Sequence, residues 1–481
     1  MSASDLSRHS RSRSGLSARD VARPALDPAV LAHSSLTRRG LLQLGSLGLG
    51  GMTLPRLLWA DERRASLQLP ARADHCIVVF LNGGPPQLDT WDMKPDAPAE
   101  IRGEFQPIAS SLPGIPVCEH LPRIAQHLHR CTIIRSAHHS VNNAHASAVY
   151  TALTGHDRGE FSFGGTFSPN DHPAIGSLLG MLRPPEQPIV PYVSLPYITK
   201  EGAGGPPQPG FYGGLMGKAY DPLFVTKDPN DDQFSIPELT RQAEVDADRL
   251  SRRRALRGQV DGRFSDRDNR SVSGLNGFQE RALTLLTSEA TQEAFQLRKE
   301  SPAVREAYGR NIYGQSTLLA RRLIESGTRL VCLSWAPDAN ATWDTHGQNF
   351  VKCKTSLLPQ LDMAVGSLIT DLVDRQMLDR TLIVVMGEFG RTPKINANAG
   401  RDHWNFCYSV LLAGGGMKPG FIYGASDKIG AFPAANPVLP AEIIATIYAS
   451  LGIPHNYEFH DPLGRPIQAV PWAEPIVSLF A

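Results

Sequence analysis

The run Thr381-Leu382-Ile383-Val384-Val385-Met386, followed at once by Gly387-Glu388-Phe389-Gly390-Arg391-Thr392-Pro393, decides the fold. An unbroken apolar run rich in β-branched residues, with no polar alternation, describes a strand buried on both faces, as in a parallel sheet covered by helices. Five further runs read the same way. Cys76–Leu81 is stopped by Asn82-Gly83-Gly84-Pro85-Pro86, and Cys131–Arg135 and Arg329–Trp335 are equally continuous. Ile189–Leu195 contains Pro191 and is therefore placed nearer an edge. Tyr408–Ala413 runs into Gly414-Gly415-Gly416. Between them lie helical patterns at Ala144–Leu153, Pro173–Met181, Gly314–Ser326, Leu357–Gln376 and Ala441–Leu451. Strands separated by helices of this length predict an α/β fold: a doubly wound, mainly parallel sheet with helices on both faces. In such sheets ligands sit beyond the carboxyl ends of the strands.

The remainder divides in two. Residues 1–60 are expected to be a disordered leader carrying a signal, and 61–481 the α/β domain. Within the latter, 200–310 is expected to be an insertion or cap. It is Gly/Pro-rich over 200–215, charged and helical over Arg241–Arg257, and loop-like over Asp261–Ser273. The leader is Ser- and Arg-rich until Thr37-Arg38-Arg39-Gly40-Leu41-Leu42-Gln43, which opens a weakly apolar stretch to Leu58. Paired arginines before modest hydrophobicity fit the twin-arginine export signal. Gly48, Gly50, Gly51 and Pro55 make that stretch a poor spanning helix. The expectation is cleavage near Ala60, delivery by the twin-arginine machinery to a periplasmic or extracellular location, and no stable membrane span afterwards.

Lys+Arg 48 against Asp+Glu 47 leaves a net charge of +1, which gives no general attraction to nucleic acid. Hydrophobic residues at 41% rule out wholesale disorder. The six cysteines, Cys76, Cys118, Cys131, Cys332, Cys353 and Cys407, show no C-x-x-C, so neither a zinc knuckle nor a dense disulfide scaffold is indicated; one or two isolated disulfides are allowed.

Acidic and imidazole side chains gather where strands end. Asp89 and Asp92 follow the first, and His138, His139 and His145 follow the second. Asp344 and His346 follow the fourth, in Trp343-Asp344-Thr345-His346-Gly347. Glu388, Arg391 and then His403, in Gly400-Arg401-Asp402-His403-Trp404, follow the fifth. A lone Asp after a strand is commonly a turn or cap residue, and a lone His a satisfied core residue. Recurrence at equivalent ends instead points to divalent metal ions held by mixed N/O donors, Zn or Mn foremost, with Ca or Mg allowed.

These motifs, together with Leu153-Thr154-Gly155-His156 and Asp171-His172-Pro173-Ala174-Ile175-Gly176, resemble a family of exported bacterial proteins known as domain of unknown function 1501, from about Cys76 to the C-terminus. That family is similar in turn to the alkaline phosphatase and sulfatase superfamily. The resemblance implies two divalent ions on either side of an in-line displacement at phosphorus or sulfur, a nucleophile at a helix start, and a small anionic ester or glycan as substrate. It implies Asp344, His346 and His403 as ligands of one ion and Glu388 as a ligand of the other. Asp89, or Asp92, would stand in for the acid that normally ends the first strand. Arg391 would neutralise a substrate oxygen. His145 falls where the nucleophile is expected, and is read as catalytic or as a metal ligand, with Asn142 or Asn143 capping its helix. The sulfatase signature, Cys or Ser followed by x-Pro-x-Arg, is absent. The expected function is an exported metal-dependent hydrolase of phosphate or related esters. The alternatives are a non-catalytic metal- or ligand-binding protein, or an envelope structural protein, on the same fold.

Changing both Arg38 and Arg39 to Lys should hold unprocessed protein in the cytoplasm; normal delivery of the variant on cell fractionation would refute the signal.

Overall fold

The computed structural model describes residues 70–141, 143–157, 165–236, 288–461, 463–470 and 472–481, with 252 and 256. The leader, its cleavage site, and nearly all of Arg241–Arg257 and Asp261–Ser273 lie outside the described residues. Eight strands form one sheet: β1 (His75–Phe80), β2 (Cys131–Ala137), β3 (Tyr192–Leu195), β4 (Leu223–Phe224), β5 (Leu330–Ser334), β6 (Thr381–Met386), β7 (Tyr408–Ala413) and β8 (Phe421–Tyr423), in the order β8-β2-β7-β6-β1-β5-β3-β4. Each of the six expected runs is a strand. β1 pairs in parallel with β5 and β6, Val78 standing opposite Cys332 and Val384. Pro191 lies just ahead of β3, which is second from the edge, because β4 joins it from inside the 200–310 stretch.

Main-sheet pairing departs from parallel only at β7, which runs antiparallel to both β2 and β6. The reversal has a functional result. The start of β7, and the residues just before it, come to the same end of the sheet as the carboxyl ends of β1, β5 and β6.

Alternate residues of each strand face opposite layers. Ile77, Val79, Ile133, Val331, Leu333, Ile383, Val385 and Leu411 join one core with helices α1 (Pro122–His127), α4 (Ile312–Glu325) and α5 (Leu358–Asp374). Cys76, Val78, Phe80, Ile134, Cys332, Val384, Val410 and Leu412 join the other with α2 (His145–Thr154), α3 (Ile175–Leu182) and α6 (Pro440–Ser450). This two-sided burial is why the strands carry no polar alternation. Local chemistry fixes the helix ends. The Asn311 side chain accepts the Tyr313 and Gly314 amides at the start of α4, and α2 stops at Gly155 in the left-handed region, φ 74°.

All six cysteines are buried and unpaired, so no disulfide forms. Burial pushes the thiols of Cys118, Cys131, Cys332 and Cys407 up to about 12 and raises that of Cys76 as well. Among the described residues no helix is long and apolar enough to cross a membrane.

Beyond α2, the rings of His156 and His172 stack with centroids 3.4 Å apart and planes 12° from parallel. Burial, and then the neighbouring His172, push His156 down to about 3 despite its bond to Ala469 O; burial pushes His172 to about 4. Both are neutral in the fold, whereas in an unfolded chain they charge near 6.5. The stability they contribute is present above pH 6.5 and is lost as pH falls toward 4 and then 3. Melting temperature should therefore drop through this window, with a shallower slope in His156→Gln; an unchanged slope would show that the pair does not titrate as described.

Candidate metal centre

Four loops deliver the site. The turn after β1 is Asn82-Gly83-Gly84. Asn82 Oδ1 accepts Ser334 Oγ–H (3.1 Å) and Trp335 N–H (2.9 Å), locking the end of β1 to that of β5. Gly83 is required by both conformation and space: φ is +111°, and a Cβ there would lie 2.5 Å from Asp344 N. Its N–H donates to Glu388 Oε1 (2.8 Å). The loop after β5 carries Asp344 and His346. The ribbon Gly390–Arg391 pairs antiparallel with His403–Trp404, Arg391 standing opposite His403, so both side chains leave on one face. Finally, His145 is the first residue of α2. Its N-cap position is held by Ala144 and not by Asn143, and Asn142 lies outside the described residues.

Imidazole Nε2 atoms gather round one oxygen. Asp344 Oδ1 lies 3.1 Å from His346 Nε2, 3.1 Å from His403 Nε2 and 3.8 Å from His145 Nε2, and the two Nε2 atoms of His346 and His403 are 3.1 Å apart. The donor atoms of His145, Asp344 and His403 all lie within 4.8 Å of one another. The opposite nitrogens are anchored. His145 Nδ1–H donates to Glu388 Oε1 (2.7 Å), His346 Nδ1–H to Asp402 Oδ1 (2.7 Å), and His403 Nδ1–H to the Asn143 carbonyl (2.9 Å). None of these acceptors has a proton to give, so each ring carries hydrogen on Nδ1 and presents Nε2 inward. Imidazole ligands are oriented for metals in this way.

The spacing also fits an ion. Bonds of about 2.0–2.1 Å in a tetrahedron set ligand atoms about 3.3–3.4 Å apart; Asp344 Oδ1 stands 3.1 Å from His403 Nε2 and 3.8 Å from His145 Nε2, on either side of that value, while His346 stands outside this group of three mutually close donors. His145 Nε2 and Glu388 Oε2 are buried without hydrogen-bond partners, as expected where a cation belongs.

Burial opposes charge on Asp344, but His145, His346, His403 and Arg391 hold its carboxyl well below the usual carboxylate range. Burial would lower His145; the Asp344 and Glu388 carboxylates outweigh it and hold the ring at about 9. Asp344 raises His346, and burial lowers His403. His346 and Asp402 are about half exposed, whereas His145 and Asp344 are nearly closed off, so the way in is at the His346 edge.

His145, Asp344, His346 and His403 thus meet, with Glu388 behind His145. Two expectations change. Asp89 does not point into this cluster: Arg401 Nε and Nη2 bind its two oxygens (2.8 and 3.0 Å), Asn349 Nδ2 adds 2.7 Å, and the pair is fully buried. Asp92, the substitute, is held by Lys94, Arg135 and Ser426. Arg391 does not face a substrate either. It is fully buried, with Nε on Gly84 O (2.9 Å), Nη1 on Arg401 O (3.0 Å), and Nη2 on Gly83 O and Asp344 Oδ1 (2.5 Å). Asp402 and the Asn143 carbonyl were not anticipated as anchors. The Asp402-His403 adjacency is visible in the sequence, but a backbone carbonyl carries no sequence signal. His139, half of a suggestive pair with His138, bonds the Glu388 carbonyl (2.9 Å) and steadies that loop.

Residues 73–480 match the model of the family described as "Protein of unknown function (DUF1501)", and the chain belongs to that family. No curated protein matches the sequence. Among solved structures the chain is similar to Ps i-CgsB in complex with k-i-k-neocarrahexaose, at 11% identity over 79% of this chain and 72% of that one, TM-score 0.39. It is similar also to a phosphonate monoester hydrolase from Silicibacter pomeroyi (14%, 80% and 74%, TM-score 0.33) and to a mutant of TAB5 alkaline phosphatase with Mg bound in its M3 site (12%, 76% and 97%, TM-score 0.34).

An ion can bind His145 only by displacing its proton. Zn affinity measured by competition with a chelator between pH 6 and 8 should rise about tenfold per pH unit, because the ring stays protonated up to about 9. A flat profile would remove His145 from the ligand set.

Proposed function

We propose that this member of the family is an exported, metal-dependent hydrolase of phosphate or related esters. The observation that carries the reading is the convergence of three Nδ1-anchored imidazoles on Asp344 Oδ1. Imidazole nitrogens beside one carboxylate suit Zn, or Mn, better than they suit Ca and Mg, which prefer all-oxygen shells. An ion held by His145, Asp344 and His403, with His346 at its open edge, would polarise an ester oxygen and acidify a water. The chain's own part is to fix these side chains, through Glu388, Asp402, Asn143 O and Arg391, and to leave the His346 edge open. His145 begins α2, whose positive end favours an anionic ester or anionic glycan close by. Export rests on the Thr37-Arg38-Arg39 leader, which implies a periplasmic or extracellular place of work.

One observation favours the second reading, a non-catalytic metal-binding protein. Among the described residues, the side-chain atoms within hydrogen-bond reach of Asp344 Oδ1 belong to His346, His403 and Arg391, and none is a hydroxyl. His145 has Nδ1 engaged by Glu388, and its Nε2 faces the donor cluster. With His145 serving as a ligand, a hydrolase here would use water in place of a side-chain nucleophile.

The purified protein loaded with Zn or Mn should turn over aryl phosphates, phosphodiesters or aryl sulfates, and chelation should abolish that turnover. His145→Ala should lose metal and activity together. Full metal content with no turnover across the panel would leave the binding-protein reading.

A further inference from the structure

A two-ion displacement needs a second set of donors about 3.5–4 Å from the first. The acids placed to supply it are Glu388, Asp89 and Asp92, and all three have other partners. Glu388 Oε1 accepts both Gly83 N–H and His145 Nδ1–H. Asp89 is enclosed by Arg401 and Asn349, and Asp92 by Lys94, Arg135 and Ser426. Asn82 Oδ1 is occupied by Ser334 and Trp335. Glu388 Oε2 is left over, buried and alone, and one oxygen does not make a site. Among the described residues, His145, Asp344 and His403 are the one group of three or more His, Cys, Asp or Glu donors that comes together.

A cation already stands beside that group. The Arg391 guanidinium is fully buried and ringed by four oxygens: the Gly83, Gly84 and Arg401 carbonyls and Asp344 Oδ1. It shares Asp344 with the imidazoles, as a bridging carboxylate is shared by two ions. Its planar fork fits fixed oxygen acceptors, and in the protein it does not deprotonate. A second dication would meet this fixed positive charge at close range in a poorly screened interior.

We infer that the centre holds a single divalent ion and that the Arg391 guanidinium occupies the place of the second. The inference rests on the metal centre proposed above and departs from the two-ion site that the resemblance implied. Glu388 is then a positioning residue, setting His145 with Nε2 inward, and Arg391 lowers the charge that Asp344 offers the ion.

The test is the ion count. Metal-free full-length protein titrated with Zn by calorimetry, with elemental analysis after dialysis, should bind one equivalent, and the Mn-loaded form should show the six-line resonance of an isolated ion. Two equivalents, or a spin-coupled Mn spectrum, would overturn the inference and leave the hydrolase reading standing. No bound metal would overturn both. The role of Arg391 is read separately by charge. Arg391→Met, which leaves Asp344 uncompensated, should bind Zn about tenfold more tightly than Arg391→Lys, which keeps the charge. Equal or weaker binding by the Met variant would reduce Arg391 to a packing role. If neither variant folds, the wild-type ion count still decides the inference.

Discussion

One carboxylate oxygen organises this end of the molecule. Asp344 Oδ1 receives the Arg391 guanidinium, lies 3.1 Å from two imidazole nitrogens, and faces a third. Its own backbone is pressed against the Gly83 turn, where a methyl group would not fit. Without that negative charge Arg391 would be buried and unpaired, an arrangement that costs about 3–5 kcal/mol when one partner of a buried pair is removed. The imidazoles would also lose the group that draws them together. Structure and chemistry therefore depend on the same atom.

The sheet makes the meeting possible. Parallel strands β1, β5 and β6 all end at one side, and β7, running the other way, begins there. Each ligand-bearing loop leaves a strand buried on both faces, so its starting point is fixed by two cores at once. Precision at the site comes from this double burial and from the three Nδ1 anchors, and loop packing adds to it. A centre with one ion and a fixed guanidinium carries less positive charge than a two-ion centre.

Much of the fold was legible because burial on both faces leaves a plain mark, an unbroken apolar run such as Thr381–Met386. Strand direction leaves no such mark, and β7 reads like its parallel neighbours. At the site, His145, Asp344, His346, Glu388 and His403 could be gathered from their places after strands. The roles of Asp89 and Arg391 could not. Asp89 meets Arg401 across 312 residues and Arg391 meets Asp344 across 47, and no local pattern records which acid finds which base. Asn143 contributes a carbonyl, which any residue possesses. The split between ligand and anchor among the carboxylates is likewise a matter of Å-scale placement, invisible in composition or spacing.

The reversal of β7 and the spread of the ligands along the chain bear on how the protein is made. His145 and Glu388 are separated by 243 residues, and His403 is later still. At about 5–20 residues per second, a ribosome needs on the order of 10–50 s to pass from the first of these residues to the second. Until then the inward nitrogen of His145 lacks the neighbours that complete the site. The centre can close only after nearly the whole sheet exists. An ion held at the proposed centre would thus be a token of a sheet already assembled.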